Sequence, residues 1–594
     1  MSRMMKTALL LVTVIGCSSG DEPSSTPPPP WGVPITGGTL LVSRDQAAVV
    51  SDPDRDRVLM VDLATQAVLA EVALPNDEPG RLVEDAAGRI HVALRRGGGV
   101  VTFASGRSGE ILYRRATCPE PRGLAYDAAT DLVHVACTGG ELVSLPASGG
   151  GAVRSLRLDR DLRDVIVSGA NLTVTRFRTS EVLTVSAQGT VASRAVPPTL
   201  QRIGISFGGS NLVPAYPTVA WRTIALPDNR VLVAHQRQVN TQLRAEKGGY
   251  GASCGSGGPV ETAFTLLEPG QSPAAIAPFA SGALPVDIAV SPNGQQLAVA
   301  TAGNGLVQVG PIGTIYSRDM DHCGRTGGFP GGPTAPGNPG AQPSDQLGTP
   351  TSVAYAPNND LVIFYPEVPA LVVRPGGYVT GSKTIVLPGE LGYDAGRALF
   401  HGQTAIGLAC ASCHPEGRED GLVWEFEGFG RRRTQSLAGG ILERGPYHWV
   451  GDMKDLGVLM DDVFANRMSG GQVNHSQKVS LGPWLNRLPA PAPVAAEPTA
   501  VERGRDVFAA AQCGTCHNGA LFTNNQLVDV GTGGKFKVPS LLGVAARAPF
   551  MHTGCAATLR ARFGAGCGGG DKHGLTSTLT QAQLDDLVAF LESL

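Results

Sequence analysis

The chain has 594 residues, 78 of them Gly and 44 Pro, with 17% charged and 5% aromatic side chains. That length exceeds one ordinary core, and the turn-rich composition excludes a long helical bundle in favour of at least two domains with many short strands. A formal net charge of −3 leaves no basic excess, which excludes nucleic acid as a partner class.

At the N-terminus, Arg3 and Lys6 precede a short apolar run from Ala8 to Ile15, and small residues lead to Cys17. The run is well short of the roughly 20 residues a spanning helix needs, so residues 1–16 read as an export signal. The local "VIGC" resembles a bacterial lipobox, which implies cleavage before Cys17 and a diacylglyceryl thioether on its sulfur. The expectation is an exported, membrane-anchored lipoprotein on the periplasmic side or at the outer membrane, where Ser18 beside the lipidated cysteine favours the latter. Residues 17–37, polar and proline-rich, read as a disordered tether.

From 38 to 388 one pattern recurs: a short apolar run, a turn of Asp, Asn, Pro or Gly, a second run, a Gly-rich turn and a third. Copies begin at Leu40, Arg81, Arg122 and Leu162, close to 41 residues apart, and wider-spaced ones at Pro217, Pro285 and Pro350. Seven copies, each of three or four strands, predict an all-β seven-bladed propeller. The "SPNG" turn resembles blades of the YVTN or NHL type, and the Gly-His and Trp-Asp marks of WD40 blades are missing. The four histidines of this region, His91, His134, His235 and His322, are too scattered for a copper site and read as surface or hydrogen-bonded residues.

Two motifs carry chemistry. Cys410, Cys413 and His414 stand in the spacing C-x-x-C-H, and Cys513, Cys516 and His517 repeat it. This spacing suits covalent haem, with two thiols adding to the vinyl groups and the adjacent imidazole reaching iron. Zinc ribbons hold paired cysteine motifs within about 20 residues of each other, whereas these lie 103 apart. Pro446, Gly451 and Leu456 recur 103 residues on as Pro549, Gly554 and Leu559, and "GRALF" is echoed by "GRDVF", so the last third is a tandem duplication. Two domains follow, 389–498 and 499–594, each all-α around one covalently bound haem c. Thr499 with Glu502, and Thr580 with Gln583, predict capping boxes for the helix before the second motif and for the closing helix.

Seven cysteines lie outside the two motifs. Cys17 takes lipid, and pairing neighbours along the chain joins Cys118 to Cys137, Cys254 to Cys323 and Cys555 to Cys567, one of several connectivities. Cys254 and Cys323 sit in Gly-rich insertions, 236–262 and 314–349, which read either as a lid facing substrate or haem or as plain connections.

The stretches "GRALFHGQTAIGLACASCH" and "FTNNQLVDVGTGGKFKVPSLLGVAARAPFMHTGCAATL" resemble bacterial di-haem cytochrome c peroxidases and the related methylamine-dehydrogenase maturase, over roughly Leu391 to Leu594. The resemblance implies one haem with His/Met ligation that accepts electrons and another that opens its sixth position to peroxide. Met468 is the first choice opposite His414, with His448 and His475 as rivals. Met551, His552 and His573 are the options opposite His517. Aligning Phe464 with Phe563 sets Cys567 opposite Met468, a departure from the family. Glu416, Glu419, Asp420, Glu425 and Glu427 follow the first motif and read as a solvated acidic face, and Trp424 and Trp449 as packing residues or a bridge between haems. The functional expectation is an electron-transfer protein, with either peroxidase-type activity or none, that meets a redox partner protein or a small donor or acceptor. A third reading makes the propeller a binding or adhesion module.

Overall fold

The computed structural model describes residues 31–203, 212–251, 258–276, 282–312, 345–564 and 567–594. Cys17, Cys254, Cys323 and His322, together with the whole of 1–16, lie outside these.

Seven antiparallel sheets, counted among the described residues, occupy 40–73, 79–116, 121–157, 162–195, 200–276, 285–311 and 352–386. Strands Leu40–Val42, Pro79–Glu84, Pro121–Asp127, Leu162–Ser168, Leu212–Ala225, Pro285–Val290 and Ser352–Tyr355 each touch the next, and the last touches the first. Residues 40–386 therefore form a closed, propeller-like ring of sheets. Middle strands such as Arg57–Asp62 are buried along their whole length because neighbouring sheets cover both faces. Outer strands such as Ala67–Ala73 alternate exposed and half-buried residues. His91 lies between Thr102 (2.9 Å) and Asp85 (3.0 Å), and His134 bonds Ser144 (2.9 Å), so both satisfy strand interiors and neither is a ligand.

The 236–262 insertion is only partly a loop. Strand Val231–Val239 runs into it, and Gln242–Leu243 crosses to pair in parallel with Val423–Phe426, far along the chain. The expected tether also ends early. Residues 31–37 lie against helix α1 (Ala395–His401): the Arg397 guanidinium donates to the Val33 carbonyl at 2.9 Å, and the Trp484 indole donates to that of Gly32 at 3.2 Å.

After α1 come α2 (Cys410–Cys413), α3 (Leu456–Leu459), which passes into a π-helical stretch Met460–Arg467, and α4 (His475–Asn486). The second copy contains α5 (Pro498–Ala510), α6 (Leu559–Arg562) and α7 (Gln581–Glu592). Each copy also holds a short hairpin, Val423–Phe426 with Gly430–Arg433 and Leu527–Asp529 with Lys535–Lys537, so the region is not purely helical. The duplication is visible in the backbone: Pro446 and Pro549 both follow cis peptides, His448 and Met551 both have positive φ, and Tyr447↔Met453 and Phe550↔Ala556 form matching bridges.

Thr580 and Gln583 form the expected capping box on α7. On α5 the cap is Glu497 rather than Thr499. Pro498 takes the first helical position, where its missing N–H costs nothing, and starts the helix earlier than the Thr499 pattern suggests. Among the described residues no helix is long and apolar enough to cross a membrane.

Candidate functional site

Each C-x-x-C-H motif forms one wall of a cavity. The first is lined by Cys410, Cys413, His414, Phe400, Met460, Met468 and, from the 236–262 insertion, Leu243 and Tyr250. The second is lined by Cys513, Cys516, His517, Phe508, Phe550 and Leu587. The 236–262 insertion thus faces the first cavity, a placement its Gly-rich sequence left open.

The residues fit a covalently held haem. All four motif cysteines are unpaired and half-buried at the cavity wall. Burial pushes the Cys410 thiol up to about 12 and raises Cys413 as well, so with no group bound both are neutral thiols. The two motifs do not converge, and among the described residues no group of three or more His, Cys, Asp or Glu is placed to hold a bare metal ion. His414 Nδ1 bonds the Arg418 carbonyl at 3.2 Å and His517 Nδ1 that of Phe522 at 3.1 Å. A carbonyl only accepts, so both rings carry their proton on Nδ1 and leave Nε2 as the ligand atom. Burial lowers both imidazoles, His517 to about 4, which keeps them neutral near pH 7.

Met468, 5% exposed, lines the first cavity, as does His448, whose Nδ1 is bonded to Asp452 at 3.0 Å. His475 is exposed at the start of α4 and lines neither cavity. Met551, His552 and His573 all line the second. The His552 ring is stacked on Phe536 at 3.8 Å, while the ring centre of His573 lies 6.4 Å from that of His517. Cys567, the residue opposite Met468 in the alignment, is bonded to Cys555 and is no ligand. A second disulfide joins Cys118 to Cys137.

Arg433, Trp449, Lys537, Pro539, Ser540 and Arg547 line both cavities, forming the partition between them. Trp449 is fixed by its indole N–H to the Arg433 carbonyl at 2.7 Å, and its own carbonyl accepts from Lys537 N at 2.8 Å. Trp424 lines only the first cavity and donates to Thr434 at 3.0 Å.

Of the acidic residues behind the first motif, Glu425 and Glu427 are exposed as the solvated-face reading expects, whereas Glu416, Glu419 and Asp420 overturn it. Glu416, Glu419 and Asp420 are 5%, 3% and 1% exposed, and none of the five carboxylates lines the first cavity. Glu416 accepts from Arg163 at 2.5 Å, Arg122 at 2.8 Å and Arg95 at 3.2 Å, all from the ring of sheets. Glu419 meets Arg433, and Arg547 of the second copy at 3.6 Å. Burial alone would raise the Glu416 carboxyl, but the guanidiniums of Arg122, Arg95 and Arg163 outweigh it and hold it well below its usual range. One signal for part of this cage was in the sequence: Arg122 and Arg163 stand 41 residues apart on successive inner strands, the spacing that also gives Arg81, which pairs with Asp164 instead.

Residues 501–594 match the cytochrome c family, so this segment carries covalently bound haem c with a role in electron transfer. No curated protein matches the chain. Among solved structures, hydrazine synthase from Kuenenia stuttgartiensis is similar at 16% identity and a TM-score of 0.42, over 60% of this chain and 97% of that one. A streptogramin B lyase is similar at 10% identity and a TM-score of 0.36, over 56% of this chain and 92% of that one. Virginiamycin B lyase from Staphylococcus aureus with quinupristin has the same identity and TM-score, over 57% and 92%. Likenesses of this degree say nothing of what the chain binds.

Proposed function

We propose that the chain is an exported, lipid-anchored c-type cytochrome that holds two haems and passes electrons between them, with a seven-bladed propeller as the platform for a redox partner. When bound, haem supplies an iron that cycles between two oxidation states. The observation that carries the reading is the shared partition: two cavities, each walled by a C-x-x-C-H motif, are separated by the ring of Trp449 and a few side chains around it. The protein's own part is to attach each haem through its cysteine pair, supply His414 and His517 as ligands, and exclude water with apolar walls. Met468, which lines the same cavity as His414, would serve as the second ligand of the first haem and raise its potential. Lipidation at Cys17 keeps the assembly at the membrane.

Haem content tests the reading. Two covalent haems per chain are expected, falling to one in Cys410→Ala/Cys413→Ala, and a single haem in the unaltered protein overturns it. Trp449→Ala is expected to slow equilibration between the two haems after rapid partial reduction. Equal rates in both proteins remove Trp449 from the path.

A second reading, peroxide reduction at the first haem, draws on His448 and Asp452, a hydrogen-bonded acid/base pair on that cavity's wall. It requires Met468 to leave the iron. Peroxide-dependent oxidation of a reduced cytochrome that disappears in His448→Ala supports it, and activity unchanged in that variant rejects it.

A further inference from the structure

Three candidate side chains, Met551, His552 and His573, line the second cavity with His517, and the ring geometry favours one of them. We infer that His573 is the axial partner of His517, so that the second haem is held by two imidazoles and closed on both faces. This deepens the two-haem reading and rests on it.

The first observation is distance. A metal bonded to two imidazole nitrogens at about 2.0 Å, each nitrogen about 1.1 Å from its ring centre, sets the ring centres about 6.2 Å apart when the three are in line. The His517 and His573 centres are 6.4 Å apart, with ring planes 32° from each other.

The second observation is the proton inventory. His573 Nδ1 bonds the Gly568 carbonyl at 3.0 Å, as His517 Nδ1 bonds that of Phe522. Each ring therefore donates from Nδ1 and holds its free lone pair on Nε2, the arrangement of a metal-bound histidine with its outer hydrogen bond already made.

The third observation is how the His573 segment is held. The disulfide between Cys555 and Cys567 ties its start, and the Arg562 guanidinium bonds the His573 carbonyl. Asp571 accepts from the backbone of Thr576 at 3.0 Å and Ser577 at 2.9 Å, and Lys572 pairs with Asp529 at 2.7 Å. Leu575 N bonds the Ala511 carbonyl at 3.0 Å, pinning the segment to the chain just ahead of Cys513. A segment fastened at so many points presents its imidazole as a fixed ligand. His552, by contrast, is packed on Phe536 and Trp449.

The consequence is an asymmetric pair. With Met468 on the first iron and His573 on the second, the first has the higher potential, and the second has no open position for peroxide.

Spectroscopy and potentiometry of the full two-haem protein test this. The ferric protein is expected to be wholly low-spin. In His573→Ala, one haem of the two is expected to become high-spin, with both haems still covalently attached, and added imidazole to restore the low-spin state. His573→Met is expected to stay low-spin and to raise one of the two potentials, which guards against a variant that merely misfolds. The inference is overturned if His573→Ala leaves every haem low-spin without added imidazole, or if Met551→Ala or His552→Ala, and not His573→Ala, produces the high-spin species. A protein with one covalent haem fails the two-haem reading instead, a result haem counting separates from a change of spin state.

Discussion

Glu416 follows the histidine of the first C-x-x-C-H motif by two residues, adopts φ +57°, and ends among three arginines from another part of the chain. Removing one partner of a buried charge cluster leaves the others uncompensated. Glu416→Ala is expected to cost about 3–5 kcal/mol, read as a fall in denaturant midpoint. Glu416→Gln keeps the shape but not the charge, and isolates the pH response. The folded-state pKa lies well below the ordinary 4.5, so the ionised form is bound more tightly in the folded state. Its contribution is therefore complete above about pH 4.5 and is lost as pH falls through the depressed folded value. Melts between pH 7 and pH 3 are expected to fall more steeply for the unaltered protein than for Glu416→Gln, and parallel curves contradict this. At the first cavity, Met468→His is expected to lower one haem potential, because imidazole stabilises ferric iron more than a thioether does. A potentiometric titration checks it.

At the scale of elements, each copy is a helix crossing with a glycine at the contact. A Cβ at Gly396 of α1 would lie 2.5 Å from Leu481 N of α4, and one at Gly504 of α5 would lie 2.0 Å from the Asp586 carbonyl of α7. Neither position needs a special φ; both need space. Alanine there gains roughly 1 kcal/mol of helix propensity and loses more to overpacking, of the order of 1–3 kcal/mol. Gly504→Ala is thus expected to lower the melting temperature and Gly396→Ala to do the same in its copy, whereas propensity alone predicts the opposite sign. Thr580→Ala, which removes the α7 cap without disturbing that crossing, is expected to cost about 1 kcal/mol. Both glycines were legible as the repeated "GRALF" and "GRDVF". The contact each permits was not, since α4 and α7 lie tens of residues downstream.

At the scale of the whole molecule, the ring of sheets and the haem-bearing region are joined at several separate points. Glu416 enters the arginine cage, Arg418 pairs with Glu120 at 2.9 Å, and Gln236 donates to the Ser412 carbonyl at 3.0 Å. Gln242–Leu243 continues the first hairpin, and Arg160 bonds Glu592 at 2.8 Å. An interface with buried charges at this density couples the two regions in unfolding. A single calorimetric transition is expected for the full chain, and two separated transitions show that they fold independently. Residues 389–594 expressed alone leave Glu416 without its three arginines and open the first cavity on its Leu243 and Tyr250 side, and are expected to melt at lower temperature with reduced haem incorporation.

What the sequence by itself determined is what short spacing encodes. The C-x-x-C-H motifs point to covalent haem and to His414 and His517 as its ligands because the whole pattern lies within five residues. The 41-residue and 103-residue repeats reveal a ring of sheets and a duplication because a repeated fold repeats its apolar pattern. The Thr580 cap is local, and so was readable. Only the tertiary structure shows that Met551, His552 and His573 share a cavity with His517, and that the His573 ring lies 6.4 Å from the His517 ring, because these residues sit on segments with no fixed spacing to the motif. It also decided that Glu416, Glu419 and Asp420 are buried. A carboxylate reads as solvated until its partners are known, and the partners of Glu416 and Glu419 are arginines up to 321 residues away. Local chemistry is written along the chain, whereas neutralisation of buried charge and completion of a metal's ligand set depend on segments that only folding brings together.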